Sequence, residues 1–143
     1  MTARTDAGAA FPSSVVKFQS KYDFEATVAR LKAALAARGI TLFADIDQSA
    51  AAAEAGMSLR PTRLLLFGNP KTGTPVMEAN PHAALELPLK AVVWEEAGSG
   101  VWVDYQDVTT TLESDYKVDA NPIAPLKQMP MLLSGALAQR HAQ

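Results

Sequence analysis

Apolar residues early in the chain recur at helical spacing. Phe24, Val28, Leu31 and Leu35 follow one another in steps of four, three and four, which lays one apolar stripe along a helix with Lys32 and Arg38 outside it. Ser20 or Asp23 supplies the capping oxygen at its start, and Gly39 supplies a left-handed end. Upstream, Val15 to Ser20 reads as a short strand with Val16 and Phe18 on one face. Downstream, the period changes to two: Ile40, Leu42, Ala44 and Ile46 alternate with Thr41, Phe43, Asp45 and Asp47. That alternation predicts a half-buried strand with both carboxylates on the polar face. The alanine-rich run from Gln48 to Ala55 predicts a short helix closed at Gly56.

The middle of the chain has no polar face. Leu64 to Phe67 is continuously apolar and reads as a strand covered on both sides. It ends in Gly68-Asn69-Pro70-Lys71-Thr72-Gly73-Thr74-Pro75, a turn-rich stretch that predicts a loop, and loops at strand ends are where folds display sites. Asn80-Pro81 then starts one or two helical turns that Pro88 stops. Leu89 to Glu95 is apolar on both faces, Gly98-Ser99-Gly100 predicts a hairpin, and Val101 to Tyr105 returns antiparallel. Beyond Asp107 the periodicity fades until a last helix from about Pro130 to Gln139, which places Leu133 and Leu137 on the core. The order predicts an α+β fold, a two-layer sandwich with an antiparallel sheet. Two strands apolar on both faces also predict cover for the second sheet face. Inserted helices supply it in a monomer, and a second subunit supplies it in a homodimer.

The Gly68–Gly73 loop has the G-x-x-x-x-G spacing of a phosphate loop, but not its chemistry. Thr74 and Pro75 stand where Lys and Ser/Thr must reach the terminal phosphate and Mg²⁺. A structural turn, with Gly68 or Gly73 at positive φ, and a loop holding a small anion or polar ligand through Lys71 remain the two readings.

Composition narrows the chemistry further. The 143 residues fit one domain, with residues 1–14 as a disordered lead-in and 15–143 as the folded unit. Lys and Arg total 13 against 15 Asp and Glu, a net charge of −2 without the basic face that nucleic acid demands. There is no cysteine, which excludes disulfides, iron–sulfur clusters, thiolate zinc and cysteine nucleophiles. No apolar run reaches membrane-spanning length. The expectation is a cytoplasmic protein, or a periplasmic one if a signal peptide has been removed, with no membrane or nucleic-acid partner and no cofactor.

Several blocks resemble one family. Asp45-Ile46-Asp47, Arg60-Pro61-Thr62, the stretch from Leu66 through Met77, Leu85 to Glu95 and Val101 to Tyr105 are similar to the domain-of-unknown-function 302 family. The resemblance covers about Val15 to Asp107. It implies an antiparallel α+β fold in β-α-β(4)-α order, often dimeric, and no settled activity. Two departures stand out: Gln48 replaces a usual His, and Tyr105-Gln106-Asp107 replaces Tyr-Asn-Asp without the closing Arg-His. If those histidines carry chemistry in relatives, this chain has lost it or uses another group.

Candidate chemistry is sparse. Asp45 and Asp47 on one strand face lie about 7 Å apart, a spacing that suits a hard metal ion or an acid–base pair beside Gln48. In the competing reading Asp47 simply caps the alanine-rich helix. His82 starts a helix and His141 lies in the tail, which leaves no two-histidine metal site and no Ser-His-Asp set. Lys90 faces solvent or pairs with Asp104 across the hairpin, while Trp94, Trp102 and Tyr105 read as core or interface aromatics. Two function classes follow. One is a non-catalytic, dimeric module binding a small ligand or anion through Asp45, Asp47, Gln48, Asn69, Lys71, Thr72 and Gly73. The other is a small enzyme with Asp47 as base, Lys71 stabilising an anion and Asn69 orienting the substrate. A pocket joining the aspartates to the loop would discriminate them.

Overall fold

Five antiparallel strands form the frame of the computed structural model, which describes residues 9–98 and 100–138. In chain order they are β1 (Val15–Gln19), β2 (Thr41–Asp47), β3 (Thr62–Gly68), β4 (Leu89–Glu95) and β5 (Val101–Gln106), arranged in the sheet as β1-β5-β4-β3-β2. The helix α1 (Phe24–Ala37) joins β1 to β2, α2 (Gln48–Glu54) joins β2 to β3, and α3 (Pro70–Ala79) leads into a 3₁₀ segment, Pro81–Glu86, before β4. After β5 come α4 (Thr109–Ser114), α5 (Ala120–Ile123), a 3₁₀ segment Ala124–Gln128 and α6 (Met129–Leu137). The architecture is the α+β fold expected, in β-α-β(4)-α order with inserted helices.

Local signals account for most element ends. Asp23 caps α1 by accepting from the Ala26 amide at 2.8 Å, and Gly39 closes it at φ +69°. Ser20 instead bonds the Thr27 hydroxyl at 2.6 Å. Asp47 caps α2, accepting from the Ala50 amide at 2.9 Å, and Gly56 follows at φ +78°. Gly98, at φ +95°, turns the β4–β5 hairpin and sets Trp94 opposite Trp102.

One layer of helices covers one sheet face. Leu65 and Phe67 of β3, Ala91 and Val93 of β4 and Val103 and Tyr105 of β5 point into it, where they meet Leu31 and Leu35 of α1 and Leu133 of α6. Phe67 and Tyr105 stack with ring centroids 6.4 Å apart. Burial pushes the Tyr105 hydroxyl well above the usual phenol range, and it has no hydrogen-bond partner among the described residues. The opposite parity, Leu64, Leu66, Val92, Trp94, Trp102 and Asp104, points away from the helices and is half-buried. The Trp94 and Trp102 rings stack at 6.3 Å, and Lys17 Nζ lies 4.7 Å from the Trp102 ring centroid.

Three expectations need correction. The Gly68–Thr74 stretch is not a loop: Asn69 caps α3 and Pro70 opens it, the same Asn-Pro signal that starts the next segment at Asn80. The interior Gly73 and Pro75 argued for a turn, yet Val76 is fully buried, and that packing outweighs propensity. Neither Gly68 nor Gly73 has positive φ; among the described residues those glycines are Gly39, Gly56 and Gly98. The β2 alternation also breaks. Leu42 pairs with Phe67 and Ala44 with Leu66, so Phe43 is a bulged residue and every later side chain changes face. Ala44 and Ile46 therefore point outward, while Asp45 and Asp47 join Leu42 on the helix side. Of the expected lead-in, residues 1–8 lie outside the described residues. In the rest, the Phe11 ring lies 4.8 Å from Lys17 Nζ.

Candidate functional site

The residues singled out in the sequence fall into two separate places. Asp45, brought to the helix side by the bulge, accepts from Arg63 Nε at 2.7 Å and also binds Arg63 Nη2 and Lys32 Nζ of α1. Glu25 adds a carboxylate 3.7 Å from Arg63 Nη1. The fork from Arg63 is the largest influence on Asp45, and with Lys32 it overcomes desolvation to hold the carboxyl at about 2. The same contact raises Arg63. Asp47 is also held below the usual carboxylate range, first by the Ala50 amide and then by the Ser49 hydroxyl at 2.7 Å. Both carboxylates are thus engaged with donors from this chain, and a carboxylate whose charged form is stabilised in this way is a weaker base. Gln48 is exposed at the first position of α2. No group of three or more His, Asp or Glu side chains suited to a metal ion occurs among the described residues.

The second place lies at the opposite end of β3. A cleft of about 510 Å³ is walled by Phe43, Ala44 and Leu66 of the sheet, by the first turns of α3 and by Leu126. Asn69, Thr72 and Gly73 line it; Asp45, Asp47, Gln48 and Lys71 do not. The bulge shapes the cleft by turning Ala44 to the outward face beside Phe43, a residue 55% exposed. The Phe43 ring lies over the strand end, where a Cβ on Gly68 would come to 3.4 Å from Phe43 Cε2, about van der Waals contact. Asn69 accepts from the Lys71 amide at 2.9 Å, and its carbonyl receives the Gly73 amide at 2.8 Å. A second cavity of about 390 Å³ adjoins the first, shares Gly68, Asn69, Thr72, Leu89 and Leu126 with it, and adds Arg38, Gln128 and Met131.

Sequence reasoning found Asn69, Thr72 and Gly73, but missed Phe43, Leu87, Pro88 and Leu126. Phe43 falls on a bulge that strict alternation conceals, and Leu126 arrives from a region without clear periodicity. Of the two settings expected for Lys90, pairing with Asp104 is the one not seen: Trp94 Nε1 donates to Asp104 at 2.9 Å, and Lys17 is the β1 residue opposite Asp104 in the register. Burial raises the Asp104 carboxyl, against the Trp94 bond and the Lys17 charge. His82 is exposed at the start of its 3₁₀ segment, and His141 lies outside the described residues.

An antiparallel five-stranded sheet backed by one helical layer, with a cleft where β3 gives way to a helix, defines an α+β domain. The chain belongs to the family described as "Domain of unknown function DUF302", whose model matches residues 16–137. An uncharacterised conserved DUF302 protein from Bacillus stearothermophilus shares the fold, with a TM-score of 0.74 at 19% identity, covering 88% of this chain and 97% of that one. Two curated relatives, each named fluoride-specific ion channel FluC 1, come from Brucella suis biovar 1 (strain 1330) and Brucella abortus biovar 1 (strain 9-941). Each is 36% identical over 95 residues, 66% of this chain but only 37% and 35% of those proteins. The chain spans little more than a third of the curated relatives it matches.

Proposed function

We propose that this chain is a non-catalytic module that binds a small, mainly apolar molecule in the cleft between β2, β3 and the start of α3. The observation that carries this reading is the cleft itself. Its volume falls within the roughly 300–1,000 Å³ of small-molecule sites, its walls are apolar, and a few polar groups, Asn69 and Thr72 among them, converge at one end. No observation favours the rival acid–base enzyme, because Asp47 caps α2 outside the cleft and Lys71 is exposed beyond its wall. The likeness to proteins named fluoride channels supports a shared accessory domain. The matched segment is a minor part of those proteins, and no described helix here is long and apolar enough to cross a membrane. An environment-sensitive apolar dye should bind at one per chain, and Ala44→Trp should abolish that binding without lowering the melting temperature. Binding that survives Ala44→Trp would count against the cleft.

The outward sheet face supports a second part of the reading, that two copies of the chain pair through it. Half-buried Leu64 and Val92 are flanked by exposed Ile46 and Leu59. Five strands of this length present about 500 Å², short of the roughly 800 Å² per partner of a stable interface, so the Met57–Leu59 arm must contribute. Ile46→Lys should shift the mass measured by light scattering from dimer to monomer. An unmodified protein that stays monomeric at every concentration rules out this pairing.

A further inference from the structure

We propose that the cleft and its adjoining cavity are two ends of one site, and that the site takes a single-chain anionic amphiphile with its tail beside Phe43 and its head group at Arg38. This inference rests on the cleft being a ligand site and adds the chemistry of the ligand. The larger cavity has no charged side chain in its wall. The smaller one has a single charged residue, Arg38, and no carboxylate. Taken together the walls carry one cation and no anion, in a chain whose net charge is −2.

Arg38 is the residue that follows α1, and it is exposed. Arg63, Lys32 and Lys127 are all committed to carboxylates, whereas no ion pair engages Arg38 among the described residues. A planar guanidinium suits a carboxylate or phosphate oxygen pair. The same cavity wall carries the neutral polar side chains of Gln128, Asn69 and Thr72. Asn69 spends its Oδ1 on the Lys71 amide, which leaves its side-chain NH₂ as a donor. At the other end Phe43, Leu66, Met77 and Leu87 offer only apolar surface. A neutral apolar ligand would leave Arg38 without a role, and a free small anion would leave the larger cavity without one.

The test compares decanoate, decyl phosphate, decanol and acetate by calorimetry on the full chain, below their micelle-forming concentrations. Either anionic decyl compound should bind at one per chain and at least about tenfold more tightly than decanol, the scale of one charge-assisted hydrogen bond. Their order identifies the head group as carboxylate or phosphate ester. Acetate should not bind detectably. Arg38→Gln should bring the anionic compounds down to the affinity of decanol and leave decanol unchanged. Equal binding of decanol and decanoate, or an anionic preference that survives Arg38→Gln, overturns the inference while leaving the cleft as a binding site. So does a preference that vanishes with Lys71→Gln instead. Binding by none of the decyl compounds, or binding that Ala44→Trp does not affect, removes the ligand-site reading beneath it.

Discussion

Replacing Asp45 by Asn tests whether the ion cluster stabilises the fold. The side chain is 19% exposed and receives the Arg63 fork and Lys32, so solvent screening is only partial. Its carboxyl is held at about 2, against 3.8 in the unfolded chain. That depression corresponds to about 2 kcal/mol of folding stability at neutral pH. The sign follows from the depressed value. Stability is fully present above the unfolded value and is lost as pH falls through the folded one. At pH 3 about half of it remains, and near pH 2 and below almost none does. Asp45→Asn should therefore cost about 2 kcal/mol at pH 7, or roughly 6–10 °C in Tm for a domain of this size. Thermal and urea unfolding at pH 7 and pH 3 would measure both ends, and the deficit should shrink to about half at the lower pH. A deficit below about 0.5 kcal/mol at pH 7, or one of equal size at pH 3, would refute the assignment; the first outcome would place the cluster with ordinary surface ion pairs.

The glycines give a contrast of sign. Gly39→Ala should destabilise by about 1 kcal/mol, because its φ of +69° is strained for any Cβ. Gly73→Ala, inside α3 and meeting Leu87 Cδ1 only at 3.7 Å, should instead stabilise by about 0.5–1 kcal/mol in denaturant titrations, the helix-interior penalty of glycine. For Asp104 the direction is opposite to Asp45. Its carboxyl is raised by burial, so the charged form opposes folding as pH rises through the folded value. Asp104→Asn, which keeps an oxygen for Trp94 Nε1, should raise Tm at pH 7, with a gain that fades at acid pH. A lower Tm at pH 7 would show that the Lys17 charge outweighs desolvation.

Much of the fold follows from periodicity and caps. The α1 stripe, the Asp47 cap, the Gly98 hairpin and the paired tryptophan strands are local or period-two features, and such signals act within a few residues along the chain. The sequence itself also determined one absence: with no cysteine, thiolate chemistry was never open. The tertiary structure alone decided which residues meet. A single extra residue at Phe43 reverses the parity of β2, and hydrophobic alternation cannot show this, because Ala44 and Ile46 remain apolar on either face. That reversal sends Asp45 to Lys32 and Arg63, and turns Ala44 into the wall of the cleft. The Asn69-Pro70 start of α3 was legible in principle, but Gly73 and Pro75 weighed against it, and only the burial of Val76 against the rest of the core tips the balance. That Arg38 lines the cavity adjoining the cleft depends on contacts between residues far apart in the chain, a quantity that no local pattern encodes.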